Sequence, residues 1–340
     1  MKISFLCNTH TYGGGERSTA MLANMLADAG HDVTINPTQW PVHDAMQAKM
    51  DDRIQLGATL GQIEDFENDL FVFYTNNLVL ILDAHRKQIN ALMRGAKRAV
   101  VVLNFDIGLA NQPWFYEEAD EIIFLNTSLH RMFEKCTEYK GTTNVLAPAV
   151  DLSPYLECKP DYDRLILVRH SKRWKFDDTH LELSFRVLSE FPTSWQYFMG
   201  YPESLKKGCG YCDRCRFLDF DEISVPDFLE MGSVFWYKCA KPVADQGPRV
   251  VVEAMAAGLA CIVDDRDGMR DRVTDECGWR CNTIDDYLRV IQEIRDMPAI
   301  LSIKGRAARA RACTVFDPKK WLTALLGTDN VQRTTPGQSC

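Results

Sequence analysis

The sequence lacks a long apolar run, and this absence is the first constraint on its class. A helix that spans a membrane needs about 18 consecutive apolar residues, and no stretch of the 340-residue chain has that length. The opening MKISFLCNTH becomes polar too early for a secretory signal. We therefore expect a cytoplasmic protein with at most peripheral membrane contact.

An excess of positive charge is also lacking. The chain carries 39 lysines and arginines against 47 aspartates and glutamates, which gives a net charge of −8. This balance argues against broad binding to the phosphate backbone of nucleic acid. Cysteine, in contrast, is abundant. Twelve cysteines without a secretion signal indicate free thiols in a reducing compartment.

Alternating strand and helix patterns indicate the fold class. KISFLC and HDVTIN are predicted strands, and ERSTAMLANMLADAG between them is a predicted helix that Gly30 ends. Such a strand–helix–strand unit implies a parallel sheet flanked by helices. Further strands are predicted at 69–74, 98–105, 121–126 and 143–148, and later at RLILVR, WQYFMG, SVFWY and ACIVDD. The sequence therefore predicts an α/β protein.

A segment with two prolines, APAVDLSPY at 147–155, interrupts this alternation and is typical of a domain linker. Length alone favours about two domains. We predict one domain at 1–148, a second at 149–315, a C-terminal helix at 316–326 and a disordered tail at 327–340. The default binding site is then the cleft between the two domains.

Three consecutive glycines follow the first strand in THTYGGGERS. Glycine lets the backbone approach a ligand closely, so Gly14 and Gly15 are candidate binding residues. The loop also loosely matches a dinucleotide fingerprint, although Asn36 stands where a ribose-binding acid is expected. An oxidoreductase is thus the weaker enzyme alternative. A loop that merely permits the strand-to-helix turn is the third interpretation.

The stretch VRHSKRWK follows the first strand of the second domain. Arg169, Ser171 and Lys175 would then lie near the carboxyl edge of the sheet, where ligands bind in open α/β folds. Arginine and lysine at that edge can pair with a diphosphate. Lys172 and Arg173 are instead expected on solvated surface.

Two carboxylates flank a turn in DQGPRVVVEAMAAG, residues 245–258. Pro248 suits the first position of a helix, which Gly258 would end. The start of a helix offers unpaired N–H groups and a positive dipole end, and both suit a phosphate. We therefore expect a phosphate at the turn, with Asp245 on one side and Glu253 on the other.

Cys209, Cys212 and Cys215 share a repeated spacing in KKGCGYCDRCRF. Thiolates on a tight turn can converge on one metal ion, so these residues are candidate ligands of a structural zinc. Free thiols and an iron–sulfur cluster are the alternatives. A fourth ligand would have to come from elsewhere in the fold. Such a metal would stabilise the loop rather than take part in the chemistry.

Taken in order, the glycine loop, the basic stretch and GPRVVVEAMAAGLACIVDD resemble the family-4-like retaining glycosyltransferases of the GT-B type. The resemblance covers the chain up to about residue 326. It implies two Rossmann-like domains that face each other across a cleft, the first on the acceptor side and the second binding a nucleotide-sugar donor. UDP-sugars are the commonest donors in that family, and the resemblance implies transfer with retention and without a metal ion.

The resemblance also implies roles for particular residues. Glu253 matches the glutamate that holds the ribose hydroxyls, and Asp245 lies where the family has a glutamate near the transferred sugar. Arg169 and Lys175 match the basic pair on the diphosphate. The backbone positions that match the phosphate cradle and the loop near donor and acceptor are Gly247, Pro248, Arg249, Val250, Gly14 and Gly15.

Two positions depart from the family's pattern. Asp245 is one methylene shorter than the family's glutamate, and Asn104, with Asp106 nearby, stands where many members carry a histidine. His10 in the first loop could supply an imidazole instead. These departures keep open a sugar-nucleotide-binding protein that has lost catalysis.

The acceptor is less constrained than the donor. The resemblance implies a glycan, a lipid-linked acceptor or another hydroxyl compound. A transferase that modifies DNA bases is a further alternative, and the acidic net charge argues against it. The basic stretches 85–98 and 304–311 are expected to be solvated helix faces, although the first could also meet an acidic acceptor.

Overall fold

The computed structural model describes residues 1–63, 67–75, 85–104, 116–210, 212–220, 222–241 and 243–327. The chain forms two compact units. Unit 1 is Met1–Val150 with the segment that begins at Phe316, and unit 2 is Asp151–Val315. Each unit has its own parallel sheet flanked by helices, so the predicted α/β class is confirmed.

Unit 1 is built on a parallel sheet. Its strands are β1 (Lys2–Cys7), β2 (Asp32–Pro37), β3 (Gln55–Leu56), β4 (Leu70–Tyr74), β5 (Ala99–Leu103), β6 (Glu121–Phe124) and β7 (Thr142–Val145). Their order in the sheet is β3-β2-β1-β4-β5-β6-β7. β4 and β5 are buried along their whole length, which is typical of strands that helices cover on both faces.

The helices of unit 1 follow their strands closely in sequence. They are α1 (Gly14–Asp28), α2 (Asp44–Gln47), α3 (Arg86–Gly95) and α4 (Thr127–Cys136). α1 begins at Gly14 rather than at the predicted Glu16, so two of the three glycines belong to its first turn. Gly30, with φ of 82°, lies just beyond its end in the left-handed conformation that glycine adopts without strain.

Unit 2 has the same architecture. Its strands are β8 (Ile166–His170), β9 (Trp195–Met199), β10 (Cys215–Leu218), β11 (Val234–Tyr237), β12 (Ala260–Asp264) and β13 (Gly278–Cys281), in the order β10-β9-β8-β11-β12-β13. Its helices are α5 (Ser153–Leu156), α6 (Asp178–Glu190), α7 (Glu203–Cys209), α8 (Val225–Glu230), α9 (Arg249–Ala256), α10 (Asp267–Arg272), α11 (Ile284–Asp296) and α12 (Ala299–Val315).

The last described helix, α13 (Lys319–Leu326), belongs to unit 1. The indole N–H of Trp321 donates to Ala147 O at 2.7 Å, and Arg98 of unit 1 donates to Leu325 O at 2.7 Å. Of the predicted tail at 327–340, only Gly327 lies within the described residues. Among the helices in the described ranges, none combines the length and apolarity that crossing a bilayer requires.

The strand order places one switch point in each sheet. In unit 1 the chain runs from β1 to β2 on one side and later returns to β4 on the other side. In unit 2 it runs from β8 to β9 and returns to β11. Crevices open at the carboxyl ends of strands where the order reverses in this way. The candidate site is therefore sought beyond Cys7 and Tyr74 in unit 1, and beyond His170 and Tyr237 in unit 2.

Candidate functional site

Asp245 lies at the switch point of unit 2 and is held by two donors. The Lys175 ammonium forms an ion pair with Asp245 Oδ2, and the Tyr237 hydroxyl donates to the same oxygen at 2.7 Å. Asp245 is only 8% exposed, and Tyr237 is fully buried. Burial, together with the nearby Asp245 charge, raises the pKa of Tyr237 well above its ordinary value, so its hydroxyl stays a donor.

Lys175 and Asp245, both predicted site residues, are in contact although they lie 70 residues apart in the chain. Tyr237 was not predicted. Its signal was its position, since it is the last residue of a buried strand whose carboxyl end opens at the switch point.

Arg169, the predicted diphosphate contact, is buried beneath the carboxyl edge of the sheet. Its guanidinium is completely buried. It donates to Lys175 O at 3.1 Å, to Lys238 O, and to His180 Nδ1 at 2.7 Å. Its guanidinium carbon also lies 3.8 Å from the centre of the Phe176 ring. Arg169 therefore supports the backbone beneath the site and does not line it.

His180 on α6 completes this buried support. It is almost fully buried, and its Nδ1 accepts the hydrogen bond from Arg169. Burial, with the positive charges of Arg169 and Lys238 next to it, lowers the pKa of His180 well below its ordinary value. The imidazole is therefore neutral at physiological pH.

The loop that follows β11 is fixed from both neighbouring strands. Ala240 N–H donates to Lys175 O at 2.9 Å, which ties the loop to the turn after β8. On the other side, Asp264 at the end of β12 accepts the N–H of Cys239 at 2.8 Å. The Arg266 guanidinium donates to Cys239 O at 2.9 Å and to Ala240 O at 2.8 Å. The backbone that precedes Asp245 is thus hydrogen-bonded to residues that follow β8 and to residues at the end of β12.

The start of α9 lies close to the start of α10. Pro248 is the cap that precedes α9 rather than its first residue, and Gly247 and Val250 beside it are half-buried. Gly268 N–H donates to Asp245 O at 3.1 Å. A Cβ at Gly268 would lie 2.2 Å from Gln246 O, so only glycine allows this approach. The positive end of the α9 dipole is held next to Asp245.

Glu253 is on α9 and is 3% exposed. Its Oε1 lies 3.9 Å from Arg249 Nε, and its Oε2 lies 3.6 Å from His170 Nε2. His170 was not predicted as a site residue. Ser171, which was predicted to bind substrate, is buried, and its hydroxyl accepts a hydrogen bond from Arg169 Nε at 3.4 Å.

In unit 1 the glycine loop is held by a buried acid. Glu16 accepts the N–H of Gly13 at 2.8 Å, the hydroxyl of Thr11 at 3.0 Å and the side-chain amide of Asn8 at 3.3 Å. The bond from Gly13 N–H to Glu16 is one half of a capping box at the start of α1, since Gly13 has no side chain to supply the other half. The bonds of Glu16 leave Gly14 exposed and Gly15 half-buried at the carboxyl edge of the sheet.

Two further predicted residues of unit 1, Asn104 and His10, lie near the same edge. Asn104 directly follows β5, and its N–H donates to the Thr75 hydroxyl at 3.2 Å. Thr75 directly follows β4. His10 is exposed, and its Nδ1 lies 3.3 Å from Pro41 O. Asp106 lies outside the described residues.

The three cysteines lie at the opposite edge of the sheet of unit 2, because Cys215 is the first residue of β10. Two successive turns link them, with Cys212 N–H donating to Cys209 O at 3.0 Å and Cys215 N–H donating to Cys212 O at 2.9 Å. A hydrogen bond between the two outer thiols lowers the pKa of Cys209 and raises that of Cys215. Across the described ranges, no group of three or more His, Cys, Asp or Glu side chains is arranged to hold a metal ion. The zinc site stays a prediction.

The basic stretch 304–311 is not the solvated face that was expected. Arg309 on α12 donates to Ala256 O at 3.0 Å and to Ala257 O at 2.7 Å, at the end of α9. Lys304 and Arg311 likewise bind backbone carbonyls. The stretch 85–98 is partly neutralised, since Lys97 pairs with Asp69 at 2.7 Å.

Comparison with solved structures identifies the architecture. HepE of Anabaena, in complex with UDP-glucose, superposes with a TM-score of 0.71 at 16% identity, over 96% of this chain and 99% of that chain. The chain has the GT-B fold. A glycosyltransferase from Rickettsia africae gives a TM-score of 0.72 at 12% identity, over 96% and 99% of the two chains. Sucrose-phosphate synthase from Thermosynechococcus elongatus gives 0.66 at 16%, over 98% of each. No family model and no curated protein sequence matches.

Proposed function

We propose that this chain is a glycosyltransferase that moves a sugar from a nucleotide-sugar donor to an acceptor hydroxyl. The observation that carries the proposal is the Lys175–Asp245 pair with Tyr237, at the switch point of unit 2 and beside the start of α9. Structures of the same fold support it, since HepE has been crystallised with UDP-glucose and with UDP and glucose. A UDP-sugar is therefore the proposed donor.

The charges at this edge suit a departing diphosphate. Cleavage of the bond between the sugar and the diphosphate places negative charge on the leaving group, and positive groups fixed beforehand lower that barrier. Lys175 supplies an ammonium, and the start of α9 supplies N–H groups and the positive end of a helix dipole. Arg169 contributes indirectly, because it holds the carbonyl of Lys175. We propose that these groups do the work without a divalent cation.

Asp245 is assigned to the transferred sugar. Lys175 and Tyr237 both bind Oδ2, and we assign Oδ1 to a hydroxyl of the donor sugar. Because Tyr237 fixes the carboxylate, the shorter side chain of aspartate still points in one defined direction. The acceptor oxygen forms its bond to C1 as the bond from C1 to the diphosphate oxygen breaks. It attacks from the side on which the diphosphate leaves, its proton passes to the diphosphate, and the configuration at C1 is retained.

Calorimetric titration with UDP-, GDP- and ADP-sugars tests donor binding. Lys175→Met should weaken binding of the preferred donor about 10- to 100-fold, because a hydrogen bond to a charged group contributes about 1.5–3 kcal/mol. Lys172→Met is the matched control, since Lys172 lies on the same turn and is exposed. It should bind the donor as the wild type does.

Turnover is followed by proton NMR, which detects the sugar released when water replaces the acceptor. From UDP-α-glucose, the α-anomer should appear first, and a chelator should not change the rate. Donor binding without release or transfer would favour the inactive sugar-nucleotide-binding protein. Transfer to DNA that weakens with salt would favour the base-modifying alternative. Binding of no donor at all would overturn the proposal.

A further inference from the structure

The side chains of two consecutive residues of β8 lie on opposite faces of the sheet. Side chains alternate along a strand, so Arg169 and His170 point in opposite directions. Arg169 faces Phe176 and His180 on one side. His170 faces the other side, where α9 carries Glu253. The residue of β8 that reaches the helix with the predicted ribose carboxylate is therefore His170.

The ring of His170 is held in one orientation by packing. It meets the rings of Phe228 and Phe235 edge-on, with centroids 6.2 and 5.7 Å away. Both phenylalanines are fully buried, and His170 itself is only 4% exposed. Edge-to-face aromatic contacts of this kind favour one ring orientation. The imidazole nitrogen near Glu253 is thereby placed before any ligand arrives.

The carboxylate of Glu253 lies between two nitrogen groups, one beside each oxygen. His170 Nε2 is 3.6 Å from Oε2, and Arg249 Nε is 3.9 Å from Oε1. The last torsion of a glutamate side chain is broad and has little preference of its own. Both contacts are longer than a hydrogen bond, so the two nitrogen groups act on the plane of this carboxylate through their charge and polarity.

We propose that His170 is a positioning residue for the ribose of the donor, an inference that rests on the proposed function. With Arg249 on the other oxygen, His170 fixes the plane of the Glu253 carboxylate so that its two oxygens accept the 2′- and 3′-hydroxyls together. An ionised carboxylate has about four lone-pair positions, so each oxygen can accept from a ribose hydroxyl while a nitrogen group stays within 4 Å of it. Two neighbouring hydroxyls can both donate only if the two carboxylate oxygens lie in one plane with them. A freely rotating carboxylate would not keep that plane.

The test compares UDP with 2′,3′-dideoxy-UDP, which lacks both hydroxyls, in calorimetric titrations. The wild type should bind UDP about tenfold more tightly or better, because charged hydrogen bonds are lost with the hydroxyls. His170→Phe keeps the ring packing but lacks the nitrogen. In this variant the affinity for UDP should fall until it is only about 1–3 times the affinity for dideoxy-UDP, which should not change. His170→Gln, whose amide reaches as far as Nε2, should keep most of the ratio.

A merely structural role predicts a different pattern. If His170→Phe weakens both nucleotides equally, or neither, His170 does not position the ribose carboxylate and the inference is overturned. If that variant does not fold, His170→Gln against the shorter His170→Asn makes the same comparison, and equal ratios overturn the inference. Failure of the wild type to bind UDP would overturn the proposed function as well. Donor transfer with an unchanged ratio in the variants would overturn this inference alone.

Discussion

The carboxyl edges of the two sheets occupy equivalent places in the two units, yet they differ in chemistry. In unit 1 the described residues that directly follow the central strands are neutral, namely Asn8 after β1, Thr75 after β4 and Asn104 after β5. In unit 2 the same place carries Lys175 and Asp245 in contact. The fold positions a site in both units, but the side chains decide what each site can bind.

The two edges are also stabilised in different ways. In unit 2 the charged side chains of the site are largely buried, and a buried charge is stable only when partners compensate for the lost water. The buried Arg169, for example, is surrounded by carbonyl oxygens and His180. Unit 1 uses one buried acid, Glu16, whose partners Thr11 and Gly13 are themselves partly accessible. Loss of a charge should therefore be more damaging in unit 2 than in unit 1.

The largest expected effect is that of Arg169→Met. This change removes the Arg169 donor from Lys238 O and from His180 Nδ1, and each buried unsatisfied group costs about 1–3 kcal/mol. Lys175 O loses one of two donors and keeps the Ala240 N–H. We expect the free energy of unfolding, measured in urea, to fall by about 3 kcal/mol or more. Arg173→Met on the neighbouring turn is the control. Arg173 is exposed and lies 4.0 Å from the exposed Asp219, so the free energy should change by about 0.5 kcal/mol at most. Equal losses in the two variants would show that Arg169 is not the support described here.

The sequence predicts the central strands well because their burial is recorded in their composition. β4, β5, β11 and β12 are runs of apolar residues buried on both faces. The edge strands β3, β10 and β13 were not predicted. β10, CRFL, is only partly buried, and β13, GWRC, mixes buried with exposed positions, so neither has a strong pattern. Short edge strands are defined by their neighbours rather than by their own residues.

The candidate site, like the sheets, has parts that the sequence predicts and parts that it does not. Lys175 and Asp245 could be singled out because their motifs are readable in the chain, and the structure brings them into contact; their role in a donor site stays a prediction. The orientation of β8 was not readable, since VRHS is compatible with either face for Arg169. Contacts with His180 and the carbonyl of Lys238, far away in sequence, fix that orientation. The sequence also could not show that Tyr237 reaches Asp245.

A smaller effect is expected for Glu16→Ala in unit 1. The variant removes the bonds of Glu16 to Gly13 and Thr11 at the start of α1, and loss of a helix cap costs about 0.5–2 kcal/mol. Water can reach Thr11 and Gly13, which limits the loss. Hydrogen exchange of the Gly13 amide should accelerate, because its acceptor is gone. Asp28→Asn, at the exposed end of the same helix, should leave both the stability and the exchange rate nearly unchanged. If Glu16→Ala lowered the free energy of unfolding more than Arg169→Met does, loss of a charge would not be more damaging in unit 2 than in unit 1.

The smallest effect concerns pH and belongs to unit 2. Burial and the charges of Arg169 and Lys238 lower the pKa of His180 in the folded protein, whereas the unfolded chain should titrate near the ordinary value of about 6.5. Below that pH the unfolded state binds a proton that the folded state does not bind, so stability falls as the pH decreases. The contribution is up to about 1.4 kcal/mol per pH unit and levels off below the folded pKa. Urea unfolding at pH 7.5, 6.5 and 5.5 should give a shallower decline for His180→Gln than for the wild type, whatever the offset between the two curves. Parallel curves would mean that the pKa of His180 is the same in the folded and unfolded states, and the lowered folded pKa assigned here would be wrong.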